Sequence, residues 1–233
     1  MQAVVVEGLR KNYGKVKAVR GVSFSVAKGE IFGIIGPNGV GKTTVLRILA
    51  TIIKKDGGNA EIFGYEIGKD DGKIREIIGY LPEEAGAYKN MRGIEYLRFI
   101  SNFFESCDIE KAIEIANLGE RIYDKIESYS KGMVRRLLVA RVLMAKPKLA
   151  ILDEPTSGLD VINANEIRRI IKNYAAHGTT FLISSHNMLE VEYLCDRIAL
   201  MNNGIIVEEG KPKELKERHD AENIEEVFLK VIK

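Results

Sequence analysis

Residues 36–44 read GPNGVGKTT, set between the apolar run EIFGII at 30–35 and the helical pattern TTVLRILATII at 43–53. A buried strand that turns through glycines straight into a helix is the opening unit of an α/β fold. The spacing G-x-x-x-x-G-K-[ST] is met at Gly36, Gly41, Lys42 and Thr43. Glycines let successive backbone N–H groups curl around a phosphate. Pro37, Asn38, Gly39 and Val40 complete that loop. Lys42 is then placed to reach the β- and γ-phosphates of a nucleotide and the Thr43 hydroxyl to ligate Mg²⁺. Thr44 starts the helix beneath the α-phosphate. The bland alternative is a glycine-rich turn with no ligand. A chance match in a chain this long is of order one percent, and the flanking strand and helix lower it further.

The other segments fit a mostly parallel sheet around that unit. Residues 2–7 and 19–26 read as strands joined by turn chemistry at 12–17, and 54–59 reads as a loop before a strand at 60–63. KLAILD at 148–153 and TTFLISS at 179–185 are continuous apolar runs, the pattern of strands buried on both faces. From about 88 to 120 the pattern is helical and carries Tyr88, Tyr96, Phe99, Phe103 and Phe104. A helix over 132–145 stops before Pro147. Asn203-Gly204 marks a hairpin between 197–201 and 205–209. The expected organisation is one domain: a core at 1–84 and 146–210, a helical subdomain at 85–145 and a charged helical tail at 211–233.

Two further segments carry chemistry. LAILDEP at 149–155 ends an apolar strand in adjacent carboxylates. In phosphate-loop enzymes the first holds the Mg²⁺ shell, which gives that role to Asp153. Glu154 then lies where ligands of open α/β sheets bind, and it can orient or deprotonate an attacking water. Alone, an acidic pair after a strand reads as a solvated loop; the upstream phosphate loop favours catalysis. His186 follows TTFLISS at the same expected edge, within reach of a γ-phosphate. ESYSKGMVRRL at 127–137 is a polar turn running into a helix, so it is either a simple cap or an anion-binding helix start.

Composition narrows the partners. With 35 basic and 33 acidic residues the net charge is +2, which gives no electrostatic case for nucleic acid. Cys107 and Cys195 do not make a disulfide framework. No stretch reads as a signal peptide or a membrane span, so the expectation is a cytoplasmic chain that reaches a membrane only by docking on something else.

GPNGVGKTT, SYSKGM, LAILDEPTSGLD and SSHN occur in the order found in the ATP-binding cassette (ABC) ATPases, and the resemblance covers nearly the whole chain. YSKGM and the closing NIEEVFLKV further resemble the ATP-binding subunits of ABC-2-type exporters. The resemblance implies an α/β fold with a phosphate-loop NTPase core, an antiparallel β subdomain and a helical subdomain. It implies that Tyr13, in NYGKVKAV, stacks on adenine, although by itself Tyr13 reads as a hairpin-loop aromatic. It implies that Ser130, Lys131, Gly132 and Met133 face the nucleotide of a second cassette, and that Asp160 of SGLD lies at the interface between the two. The helical subdomain would face an integral membrane permease at the inner face of the cell membrane.

Two departures from the family pattern stand out. Glu83, in IGYLPEE, replaces the usual glutamine that contacts Mg²⁺ and water; it keeps an oxygen ligand and adds a charge. Tyr129–Met133 replaces the usual L-S-G-G-Q, which puts Lys131 where a phosphate would arrive and removes an amide at Met133. The implied function is ATP binding and hydrolysis in an exporter, with Lys42, Glu154 and His186 catalytic and with ATP and Mg²⁺ as cofactors. A soluble ABC ATPase unconnected with transport usually carries tandem cassettes or a long coiled coil, and neither is visible here. A binding-only cassette is disfavoured because Lys42, Asp153, Glu154 and His186 are all present.

Overall fold

The structure, a computed structural model, describes residues 1–232. Its centre is a six-stranded sheet of β3 (Ile31–Ile35), β6 (Ile78–Leu81), β7 (Leu149–Asp153), β8 (Thr180–Ser185), β9 (Arg197–Asn202) and β10 (Ile205–Gly210). The order is β10-β9-β3-β8-β7-β6, parallel throughout except for the β9–β10 hairpin. At the turn of that hairpin Asn203 has φ 46° and Gly204 φ 80°, the two left-handed residues that a type I′ turn needs.

Side chains alternate between the faces of these strands. Ile31, Ile35, Ala150, Leu152, Phe181, Ile183, Ile198 and Leu200 join one core. Phe32, Ile34, Leu149, Ile151, Leu182, Ala199 and Met201 join the other. Both faces are therefore covered, which is why the strands read as unbroken apolar runs. Each fully buried aliphatic chain contributes about 1.5–3 kcal/mol.

A second, antiparallel sheet has the order β2-β1-β4-β5, formed by β1 (Gln2–Tyr13), β2 (Val16–Ala27), β4 (Gly57–Ile62) and β5 (Tyr65–Glu66). The β1 and β2 strands run closer to their turn than the sequence suggested. The hairpin pairs Tyr13 with Val16 through irregular register, so 12–17 is mostly ladder. The expected loop at 54–59 likewise gives its last residues to β4, which pairs with β1.

Helix α1 (Lys42–Leu49) starts one residue earlier than predicted and ends four earlier. Thr51 adopts φ 57° just beyond it, so the chain leaves the helix before the β-branched run 51–53. Helix α2 (Asp71–Ile77) and strand β6 were not anticipated. Residues 85–145 contain α3 (Gly93–Ser101), α4 (Ile109–Ala116) and α5 (Lys131–Leu143). Their buried residues belong to the same core as one face of the sheet, without a seam. The chain closes with α6 (Val161–Ala176), α7 (Met188–Leu194), α8 (Pro212–Arg218) and α9 (Ile224–Val231). Residue 233 of the predicted tail lies outside the described residues.

Parallel strands end at one edge. Ile35 pairs with Ser185, Ser184 with Asp153, and Leu81 with Leu152, so the C-terminal ends of β3, β8, β7 and β6 are aligned. Every sequence-predicted catalytic segment of the core leaves the sheet there.

Candidate functional site

The phosphate loop links β3 to α1. Gly41 caps the helix with φ 107°, and a Cβ there would lie 2.3 Å from the Ala18 carbonyl oxygen, so only glycine fits. Pro37, Asn38 and Gly39 are exposed, whereas Gly36 and Val40 are buried and Thr44 is half-buried. Lys42 is buried and folds back over its own loop. Its Nζ donates to the carbonyls of Gly36 at 2.7 Å and Pro37 at 3.0 Å. The same ammonium lies 3.5 Å from Glu154 Oε1.

Asp153 ends β7 with no exposure. Its Oδ1 accepts from Thr43 Oγ1 at 3.2 Å and from Ser184 Oγ. Two of the three expected Mg²⁺ ligands, 110 residues apart, are therefore in contact, and the third, Glu83, is not among them. Glu154 is 3% exposed and adopts φ 48°, a left-handed conformation that costs a non-glycine residue of order 1–3 kcal/mol and recurs at functional sites. Its N–H donates to Ser184 Oγ at 3.0 Å, and its Oε2 lies 2.9 Å from His186 Nδ1. The other imidazole nitrogen is left for a ligand.

Two buried carboxylate oxygens, Asp153 Oδ2 and Glu154 Oε1, have no hydrogen-bond partner. Glu154 Oε1 still has the Lys42 ammonium at 3.5 Å, whereas Asp153 Oδ2 has no ion pair among the described residues. A buried carboxylate oxygen without a hydrogen bond is costly and marks where a cation or water belongs. Among the described residues no three His, Cys, Asp or Glu side chains are grouped to hold a metal on their own. That suits Mg²⁺, which takes one or two protein oxygens together with water and substrate phosphates. The Thr43–Asp153 pair fits it.

Not every predicted residue joins this cluster. Tyr13 stands half exposed at the end of β1 with Lys11 Nζ 5.7 Å from its ring centroid. The Glu83 side chain is exposed beyond β6, and its carbonyl accepts from Arg135 Nη1 at 3.2 Å. Ser130 is the N-cap of α5, with Oγ accepting from the Met133 N–H at 3.2 Å. The capping reading of this stretch is therefore realised, while part of its face remains open: Ser130 and Lys131 are exposed and Met133 half-buried, but Gly132 is buried.

Around that face, several side chains were missed from sequence. A Cβ at Gly132 would sit 2.3 Å from Asn163 Cγ, so Asn163 needs the glycine in order to pack there. Asn163 Oδ1 accepts from Arg136 Nη1 at 3.2 Å, and its Nδ2 donates to Asp160 Oδ2 at 2.6 Å. The Asn163 backbone and side-chain amides hold the Asp160 carboxyl below the usual carboxylate range. Asn163 thus ties α5, the signature helix named for the Tyr129–Met133 stretch at its start, to the loop at 157–160. Ser184, which braces both Asp153 and Glu154, stood within LISSH, yet its function depends on strand neighbours that only the sheet order supplies.

A family model described as "ABC transporter" matches residues 19–157. The chain belongs to the ABC transporter family. The cassette is similar to the linearmycin resistance ATP-binding protein LnrL of Bacillus subtilis, 38% identical over 224 residues, covering 94% of this chain and 72% of that one. It is 37% identical over 219 residues to a fluoroquinolones export ATP-binding protein of Mycobacterium tuberculosis, covering 92% of this chain and 73% of the relative. Among solved structures, the ADP conformation of an ATP-binding cassette of an ABC transporter superposes with a TM-score of 0.83 at 26% identity, covering 98% of this chain and 99% of the other. The cassette is an ABC ATPase of α/β fold, as its sequence motifs implied.

Proposed function

We propose that this cassette hydrolyses ATP as the motor subunit of an exporter, with the residue roles set out below. The observation that carries the reading is the meeting of Lys42, Thr43, Asp153, Glu154 and His186 at one sheet edge. The named export and resistance roles of its relatives support the direction of transport. The loop at 36–44 holds the nucleotide phosphates, and Tyr13 offers its ring to the adenine. Asp153 and Thr43 would hold Mg²⁺, whose charge would offset that of the γ-phosphate. Glu154 accepts a proton from the attacking water, and His186, held by the Glu154 carboxylate, presents its second nitrogen to the γ-phosphate. Purified protein should release phosphate from ATP; absence of release at saturating ATP and Mg²⁺ would sink the reading.

The exposed signature supports an assembly of two cassettes. One loop already serves the nucleotide bound by each chain, so the open face at Ser130 and Lys131 is assigned to the partner's. The working division is a catalytic core at 1–84 and 146–210 with a partner-facing block at 85–145. Tyr88 lies between Tyr96 and Phe99 with ring centroids 6.1 and 5.7 Å away, and Phe99 meets Phe103 at 5.4 Å. Only Tyr96 is buried, whereas Tyr88 is 58% and Phe103 70% exposed. Such a patch fits a docking surface for a membrane permease. No helix among the described residues is long and apolar enough to cross a membrane. Phe103→Ser together with Tyr88→Ser should reduce co-purification with the permease; undiminished recovery would move the docking surface elsewhere.

Glu83 makes a separate expectation. Its carboxylate, exposed beyond β6, would bring negative charge to the γ-phosphate on turning into the metal site, and bound Mg²⁺ would offset that charge. Glu83→Gln should therefore shift the Mg²⁺ dependence of turnover to severalfold lower concentration. An unchanged titration would remove Glu83 from the metal site.

A further inference from the structure

Arg135 lies one helical turn beyond Lys131 in α5, and it is 7% exposed. Among the described residues its guanidinium makes no ion pair and is directed wholly at backbone carbonyls. Nε donates to the Pro155 oxygen at 2.8 Å. Nη1 donates to Glu83 at 3.2 Å and Pro82 at 3.4 Å. Nη2 donates to Asp153 at 3.4 Å and also to Glu154. One side chain therefore joins three segments: the signature helix, the exit of β6 and the exit of β7.

The β7 exit is where geometry matters most. Glu154 has the left-handed φ of 48°, and its backbone is held from both sides. Ser184 takes its N–H, and Arg135 takes its carbonyl together with those of Asp153 and Pro155. A strained conformation persists only where its surroundings over-determine it. Burial pushes the Arg135 guanidinium below its usual range, and the carboxylates of Glu83, Asp153 and Glu154 only partly offset this.

We infer that Arg135 is a positioning residue that locks the backbone of Glu154 in its reactive conformation and ties that lock to the signature helix. The inference rests on the assignment of Glu154 as the base. Because Ser130–Met133 opens the same helix, a displacement of α5 by a partner's nucleotide reaches this chain's own Glu154 through a single guanidinium. The fork is suited to this: its donors point in fixed in-plane directions, whereas a lysine ammonium is one point charge on a flexible stem.

Arg135→Lys keeps the charge and most of the volume but cannot span the three segments. Its kcat should fall by about 10²-fold, the scale of an ångström-sized misplacement, with the KM for ATP held within about threefold. In Arg135→Ala, added guanidinium ion should restore part of kcat. The inference is overturned if the lysine variant keeps kcat within about threefold of the parent, or if KM rises in step with the loss. A variant that no longer melts cooperatively makes Arg135 part of the scaffold and overturns it equally. Glu154→Gln, assayed in parallel, separates the two levels. If that protein turns over normally, the assignment of the base fails; if it is inactive while the Arg135 variants are normal, only the lock fails.

Discussion

Glu154→Gln should lower ATP turnover by about 10²–10⁴-fold, the range contributed by a positioned general base, while ATP remains bound. The carboxylate is nearly inaccessible, so the isosteric amide fits the same space. What changes is chemistry. Glu154 Oε1, the oxygen without a hydrogen-bond partner, can accept a proton from water as a carboxylate but not as an amide. The amide also removes a negative charge from a pocket that must receive a γ-phosphate, which favours the ATP-bound state.

In the proposed assembly of two cassettes around shared nucleotide, hydrolysis would separate them, so a protein that binds but cannot hydrolyse should accumulate as an ATP-bound dimer. Size-exclusion chromatography with and without ATP reads this directly. A Glu154→Gln protein that stays monomeric at saturating ATP would count against the shared site, and turnover within about tenfold of the parent would remove Glu154 from the role of base.

The parts of this cassette that local chemistry determines were legible in the sequence. The phosphate loop, the doubly buried strands and the Asn203-Gly204 hairpin each follow from a pattern confined to a few residues. Strand β6 was hidden because it begins at Ile78, directly after α2 ends at Ile77, with no turn residue between them. Its four residues with a glycine at the second position carry too little periodicity to separate from the helix before them. Ser184 and Arg135 were missed for a different reason. Ser184 is 30 residues from the amide it accepts, and Arg135 is 20 from the Pro155 carbonyl and 53 from that of Pro82. A side chain whose partners are backbone atoms of other segments leaves no pattern in sequence, because any residue supplies a carbonyl. Lys131, which stood out as a departure, has its Nζ 2.1 Å from where a Cβ at Gly158 would sit. It therefore belongs to the same face as the loop that carries Asp160.

Ser130→Arg should abolish cooperative hydrolysis and leave ATP binding to the single chain unchanged. Ser130 lies outside the phosphate-loop cluster, and its one side-chain hydrogen bond among the described residues is local, accepted from the Met133 N–H. An arginine there projects bulk into the open face where a second cassette must approach, and it loses the N-cap. Loss of the cap alone costs about 1 kcal/mol, which Ser130→Ala isolates. The alanine protein should keep most of its activity and its steep dependence on protein concentration. The arginine protein should bind a fluorescent ATP analogue as the parent does, yet lose hydrolysis that rises more than linearly with concentration. If analogue binding falls as far as hydrolysis, residues 130–133 act on the nucleotide of their own chain and the shared-site assignment is wrong. If the alanine protein fails as badly as the arginine one, the stretch matters as a helix cap and not as a surface for a partner's phosphates.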